Sequence, residues 1–471
     1  MTNSHLVLIF RTLSKKEERE LRKWLNSPAH NHREDVVELF EYLMAGQHLY
    51  EEKFLEKERV FSRIFPEEAY EDAKLRQTMH FLLKSVEEFL IYQEQQSDEV
   101  RARMALSSVF RKRRLDRAFQ KAINSVKRQQ DKSLLRNEKF LRNEYLLQLE
   151  KYSFYEGKKR TAEMNLQDVS DALDLTFIAD KLRQACLMTA HQTVYKTKYR
   201  IGLLDEILAY VEKENLLHLP AIAIYFYGYK AITSPIGTGE QYFVKLRDAI
   251  WEHMHLFPQY ELRDIYLMSI NYCVAQINAG RDNMRAELFD LYKNGIDNQI
   301  LIEYDTLSHF TFRNIVNLGT SLKQFGWIQS FIDQYQQFLS PKYRNTFVQF
   351  SMAKLHFTKR EYSPALELLA QSDFDDILIN LSAKTMLLQI YYELDEYDAL
   401  ESLLESLQIY LRRKEVIGYH KANYQNIVRL ARRLVRISPY DKQQVTKLKT
   451  DIEQMKPLTE KDWFLQQIDR L

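Results

Sequence analysis

Residues Ala353–Leu369, AKLHFTKREYSPALELL, and Leu387–Leu404, LLQIYYELDEYDALESLL, decide the fold. Each reads as an apolar-periodic helix, a short charged turn and a second helix. An aromatic closes the first helix (Phe357, Tyr392) and a tyrosine opens the second (Tyr362, Tyr397). Leu322, Phe357 and Tyr392 lie 35 residues apart, and Trp327, Tyr362 and Tyr397 keep the same interval. A fixed period of this size marks stacked helical hairpins, none able to bury its apolar face alone. The expected fold is therefore all-α without a sheet: an N-terminal helical module followed by an α-solenoid of stacked hairpins.

Composition agrees. The 471 residues include only 11 Gly and 9 Pro, about 4 % against roughly 12 % in average proteins. Sheet-rich folds need turn residues far more often. Aromatic residues make up 13 %, enough rings to fill the wedges between hairpins. Cys186 and Cys273 lie in apolar helical surroundings 87 residues apart, which suits reduced thiols in the cytoplasm. The opening MTNSHLVLIFRTLSKKE has five consecutive apolar residues and no basic leader, so no signal peptide is expected. The uncharged run Leu216–Tyr229 falls short of the roughly 20 residues a membrane span needs.

Outward from the decisive stretch, the spacing divides the chain into an N-terminal module (1–100), a basic connector (101–160), irregular hairpins (161–309), regular repeats (310–413) and basic capping helices (414–471). Ser14 and Glu17 form a capping box for the first helix of the module, which Asn26-Ser27-Pro28 ends. Further helices are expected over REDVVELFEYL (from Arg33), near Phe54–Phe65 and over Glu71–Tyr92. Gly228 between tyrosines predicts a close helix contact, and Gly280 and Gly326 predict hairpin turns. Ser340-Pro341, Ser363-Pro364 and Ser438-Pro439 each read as an N-cap followed by Pro at the first helical position. Thr459-x-x-Asp462 reads as the cap of a last helix that closes the open end. Thr233–Glu240 lacks the Gly-Lys-Ser/Thr ending of a phosphate loop and reads as a turn.

Charge is segregated although the chain's net is only +2. Residues 101–144 carry fourteen bases and four acids, 361–408 eleven acids and one base, and 411–449 eleven bases and two acids. In the first segment Leu115, Phe119, Ile123 and Val126 make an apolar stripe. Arg114, Arg117, Lys121 and Arg128 share the other side, with Arg113 beside them, so a packed helix with a basic outer face is expected. Such a face could contact phosphate or an acidic partner. The opposite-charge segments could also pair within one molecule or between two copies.

Residues 310–411 resemble the tetratricopeptide repeat, on Leu318-Gly319 with Leu322 and Gly326, Ala353 with Phe357, Tyr362 and Ala365, and Tyr391, Tyr392, Tyr397 and Leu404. The period is 35 rather than about 34, and most first-helix Trp and terminal Pro positions are missing. The whole chain also resembles a family of uncharacterised bacterial helical proteins with an LSKKE…LNSPAHNHREDV opening and a SINYCVAQINAG hairpin. That second resemblance implies a fold and no activity. The first implies a concave face, lined by first helices, that binds peptides or partner helices. It places Asn271, Arg313, Asn317, Thr320, Lys323, Phe350, Lys354, Gln389 and Tyr392 toward that face. Asn317 and Lys354 echo part of the paired Asn and Lys set with which that family holds a carboxylate.

No catalytic constellation stands out: His-Glu-x-x-His, Gly-x-Ser-x-Gly and a matched Cys/His signature are all missing. His30, His32 and Asp35 with Asn31 read as helix-turn caps, not zinc ligands. His253 and His255 alternate around a helix and suit one ion poorly. No cofactor and no metal are expected. The leading expectation is a non-enzymatic protein- or peptide-binding scaffold. The alternatives are a nucleic-acid-binding regulator using residues 101–144 and a self-assembling structural protein joined through its opposite-charge faces.

Overall fold

The computed structural model describes residues 1–156, 158, 164–195, 197–235, 237–370, 376–413 and 418–471. Ile236, Asp373, Asp375, Lys414 and Glu415, named or counted in the segments above, lie outside them, as do the expected boundaries at 160/161 and at 414. The described residues form 23 α-helices, short 3-10 turns and one two-strand ladder. No described helix is long and apolar enough to cross a membrane. The chain divides into two compact units, Met1–Leu182 with His218–Ile222, and Arg183–Leu217 with Ala223–Leu471.

In the first unit the Ser14 hydroxyl accepts from the Glu17 amide while the Glu17 carboxylate accepts from the Ser14 amide, opening the helix Lys15–Leu25. Asn26 ends that helix as its C-cap. Helices Glu34–Met44, Lys57–Ile64 and Asp72–Ser97 join it around a core that includes Leu21, Leu25, Phe40, Phe61 and Leu82. A short preceding helix, His5–Phe10, capped by Ser4, adds Leu6, Val7 and Phe10 to that core. The run LVLIF is thus a core-forming turn of helix. Asn31 donates to the Leu25 and Arg33 carbonyls, and His30 stacks on Trp24 with ring centroids 3.5 Å apart. Asp35 accepts from Arg33 and from Thr78.

The basic segment forms two helices, Glu99–Lys112 and Asp116–Lys132, followed by Glu138–Glu156. Phe119, Ile123 and Val126 are buried with Leu147 and Phe154. Leu115 departs from expectation: it lies in the turn and is 48 % exposed. Arg114 has φ +58° in that turn, so it does not share a helix face with Arg117, Lys121 and Arg128.

In the second unit, hairpins follow one another in chain order. They are Gln259–Asn278 with Met284–Asp297, His309–Ser321 with Phe325–Tyr335, Pro341–Thr358 with Tyr362–Ala370, Ile377–Glu393 with Tyr397–Arg413, and Gly418–Arg436 with Lys442–Gln454. His309–Ser321 packs on Pro341–Thr358, which packs in turn on Ile377–Glu393. Gly228 is the close contact expected: a Cβ there would sit 2.5 Å from Met268 Cε and 3.7 Å from Cys186 Sγ. The connection before His309 holds the only described strands, Ile302–Glu303 and Thr306–Leu307, paired antiparallel. Tyr304 and Asp305 between them both have positive φ, as a tight two-residue hairpin requires. This small ladder is the one departure from the sheetless chain expected.

The hairpin turns share one backbone solution. Lys323, Arg360 and Asp395 are left-handed, with φ +58°, +63° and +59°. In each, the amide of that residue donates three residues back and the next amide donates five back: Lys323 to Thr320 and Gln324 to Gly319, Arg360 to Phe357 and Glu361 to His356, Asp395 to Tyr392 and Glu396 to Tyr391. This is the paired closure of a Schellman motif, which satisfies the last helical carbonyls. Equivalent turn positions are therefore 37 and then 35 residues apart, which corrects the uniform interval of 35. Thr320 and Phe325, not Leu322 and Trp327, correspond to the Phe357 and Tyr362 pair. Trp327 instead packs on Phe289 and Phe331, at 5.1 and 5.4 Å. Gly326 sits inside the second helix, and the turn lies at Lys323.

Of the three expected caps, only Ser340 with Pro341 starts a helix as read. Ser363 and Pro364 lie within the helix that begins at Tyr362. Asp441, not Ser438, caps Lys442–Gln454 by accepting from the Gln444 amide. Glu460 rather than Thr459 is the cap residue of Lys461–Ile468, because Asn423 holds Thr459 through both its amide and its hydroxyl.

Candidate functional site

A cavity of about 500 Å³ is lined by four consecutive first helices of the second unit. Each helix contributes residues one turn apart, so the 3.6-residue period aims one stripe per helix into the same space. Arg313 and Asn317 come from the first helix, Phe350 and Lys354 from the second, Ser382 and Gln389 from the third, and His420 and Tyr424 from the fourth. Thr459 and Glu460 cross the end of the cavity.

Its charges are unevenly matched. Among the described residues no carboxylate lies within ion-pairing distance of Arg313 or Lys354. Burial holds the Lys354 ammonium below the ordinary lysine range, opposed by the negative charge of Glu460. Glu460, the only acid among the described lining residues, accepts from Gln389 Nε2 at 2.8 Å. The Thr320 and Thr385 hydroxyls are spent on the Val316 and Leu381 carbonyls. Apolar walls come from Phe350, Phe357, Ile379 and Met386. Two unpaired cations above an apolar floor suit an anion that carries an apolar body.

The cavity brings together Arg313, Asn317, Thr320, Phe350, Lys354 and Gln389. It leaves three expected residues outside. Asn271 lines a separate cavity of about 180 Å³ with Arg183, Tyr225 and Asp264. Lys323 occupies the left-handed turn position and is exposed. Tyr392 packs edge-on against Trp463 at 5.5 Å and against Tyr397 at 6.3 Å, and burial pushes its hydroxyl up to about 12. Glu460, Thr459, His420 and Tyr424 were not foreseen. His420 and Tyr424 enter from the fourth first helix, and Thr459 and Glu460 because the segment after Gln454 folds back. Trp463 Nε1 and Gln467 Nε2 donate to Glu393 Oε1, at 2.8 and 3.3 Å, while the Tyr362 hydroxyl donates to Oε2 at 2.6 Å.

The oppositely charged segments meet within the chain. Glu401 and Glu405 share a cavity of about 240 Å³ with Arg432 and Arg436. Arg432, Arg433, Arg436 and Lys447 line another of about 340 Å³, where Arg433 pairs with Asp451 at 2.7 Å. On the basic hairpin of the first unit, Arg113, Arg114, Arg117, Lys121 and Arg128 are all exposed. Comparison with known proteins returned no matching family model, curated protein or solved structure.

Proposed function

We propose that the protein is a non-enzymatic scaffold that holds an anionic stretch of a protein or peptide partner in the cavity of its first helices. One observation carries this reading: Arg313 and Lys354, from adjacent first helices, face an open cavity without a carboxylate partner among the described residues. A partly desolvated lysine without a counter-ion is unfavourable, and a bound carboxylate would relieve that cost. The tetratricopeptide resemblance of residues 310–411 supports peptide capture on the same side, through Asn317 and Lys354. Two buried, unlinked cysteines suit a cytoplasmic setting.

The test is a comparison of partners retained by the wild-type chain and by Arg313→Glu/Lys354→Glu in affinity purification at moderate salt. Loss of a reproducible wild-type partner from the reversed variant is the expected result. Glu460→Gln, which removes the lining acid, should strengthen retention of that partner. An unchanged partner set across all three proteins would refute the assignment of the cavity.

A further inference from the structure

The hairpin Glu99–Lys112 and Asp116–Lys132, with the following helix Glu138–Glu156, carries bases of two groups. Arg103, Arg111, Lys127, Lys139 and Arg142 are tied to carboxylates and stitch the hairpin and its neighbours together. Arg117, Lys121, Arg128 and Lys132 are exposed, and none has a carboxylate partner among the described residues. They lie at positions 1, 5, 12 and 16 of one helical stripe, opposite the buried Phe119, Ile123 and Val126. Both acids of that helix are already taken, Asp116 by Lys158 and Asp131 by Lys127. Lys112, Arg113 and Arg114 add three exposed charges at the turn where the stripe begins. Like charges four residues apart disfavour a helix, so local stability does not account for Arg117 with Lys121 or Arg128 with Lys132.

We infer that this face binds the phosphate backbone of duplex nucleic acid. Fifteen residues at 1.5 Å rise spread the four helix cations over about 22 Å, against a polymer carrying one charge per about 1.7 Å of axis. The stripe has no aromatic ring on which an unpaired base could stack. Its helix buries Phe119, Ile123 and Val126 inside the fold, and the apolar residues left exposed beside it, Leu115 in the turn and Leu134 past its end, do not make the continuous apolar face with which an interfacial helix enters lipid. Charge complementarity without stacking rings or a continuous apolar face leaves the duplex backbone.

The test uses the full-length protein with labelled mixed-sequence DNA and RNA duplexes, followed by anisotropy between about 50 and 200 mM salt. Phosphatidylserine vesicles are sedimented with the protein in parallel. Binding of at least one duplex is expected at the low end, with a logarithmic salt slope of about −4 to −5 for four to six phosphates; the two arms show which duplex form is preferred. Arg117→Glu/Lys121→Glu/Arg128→Glu should weaken binding at least about tenfold and make the slope shallower by about 3. The triple Gln variant gives the same contrast if charge reversal impairs folding. No duplex binding at low salt, undiminished binding by a folded variant, or sedimentation with vesicles in place of duplex binding would each overturn the inference.

Discussion

Replacing Arg360 with glycine should make the protein more stable, although it removes a long side chain. Arg360 is exposed, makes no ion pair with a described residue, and sits at φ +63° between Pro341–Thr358 and Tyr362–Ala370. A side chain in the left-handed region costs about 1–2 kcal/mol. Glycine removes that cost but brings a looser unfolded chain, worth about 0.5–1 kcal/mol in the other direction. The balance is a gain of about 0.5–1 kcal/mol, or roughly 2 °C in the melting temperature of a unit this large. Calorimetry of Arg360→Gly beside Arg360→Ala separates backbone from side chain, because alanine keeps the strain. The glycine variant should melt higher than wild type and the alanine variant no higher. Gly280, at φ +91° with space around a notional Cβ, supplies the converse: Gly280→Ala should lower stability by about 1 kcal/mol through strain alone. Equal shifts for Arg360→Gly and Arg360→Ala would refute the account of the turn.

Four further outcomes follow from burial and close approach. Gly319→Ala should destabilise by about 1–3 kcal/mol, since its Cβ would fall 2.6 Å from Ile328 Cγ1 and 2.8 Å from Phe289 Cε2. Gly228→Ala, which meets chiefly the end of Met268, should cost less in the same thermal melt. Tyr225→Phe removes a hydroxyl that donates to buried Glu261 at 2.7 Å and should cost about 1–3 kcal/mol, read as a lower urea midpoint. Burial pushes the Cys273 thiol up to about 12 and raises Cys186 as well. Its thiolate is favoured only above that pH, so at pH 8 Cys273 should react with a thiol reagent about a thousandfold more slowly than a free cysteine. Denaturant should release both thiols at once; rapid labelling of the native protein would contradict their burial.

The helical hairpins were legible because apolar periodicity and aromatic closure are local signals. The Ser14 and Glu17 box was legible for the same reason, as was the close approach at Gly228. The turns misled because the left-handed position is filled by Lys323, Arg360 and Asp395, residues that carry no sign of positive φ. Gly326, which looked like the turn, is an ordinary helix residue. Leu322 and Trp327 fell by chance at the expected interval and concealed the two extra residues of the first repeat. Six cavity residues could be placed because first-helix stripes follow from the period. Thr459 and Glu460 could not, since their arrival depends on where residues after Gln454 fold back. The turn position of Lys323 and the packing of Tyr392 against Trp463 are likewise set by the turn register and the returning last helix, not by spacing.

The polar contacts of the second unit have a mechanical consequence. Arg247 to Glu287, Arg263 to Glu303 and Asn283 to Glu240 each reach 40 to 43 residues along the chain, one hairpin and no further. A force applied to such a row should undo it piece by piece, each rupture loading only the next neighbour. Glu393 and Gln389 break that rule, because Trp463 and Gln467 reach Glu393 across 70 and 74 residues and Gln389 reaches Glu460 across 71. Those bonds make the last hairpins a buckle: pulling from the C-terminal side must open several bonds together before anything unravels. In a single-molecule trace that buckle should give the one tall peak of the C-terminal end, and Glu393→Ala together with Gln389→Ala should flatten it into the run of small steps.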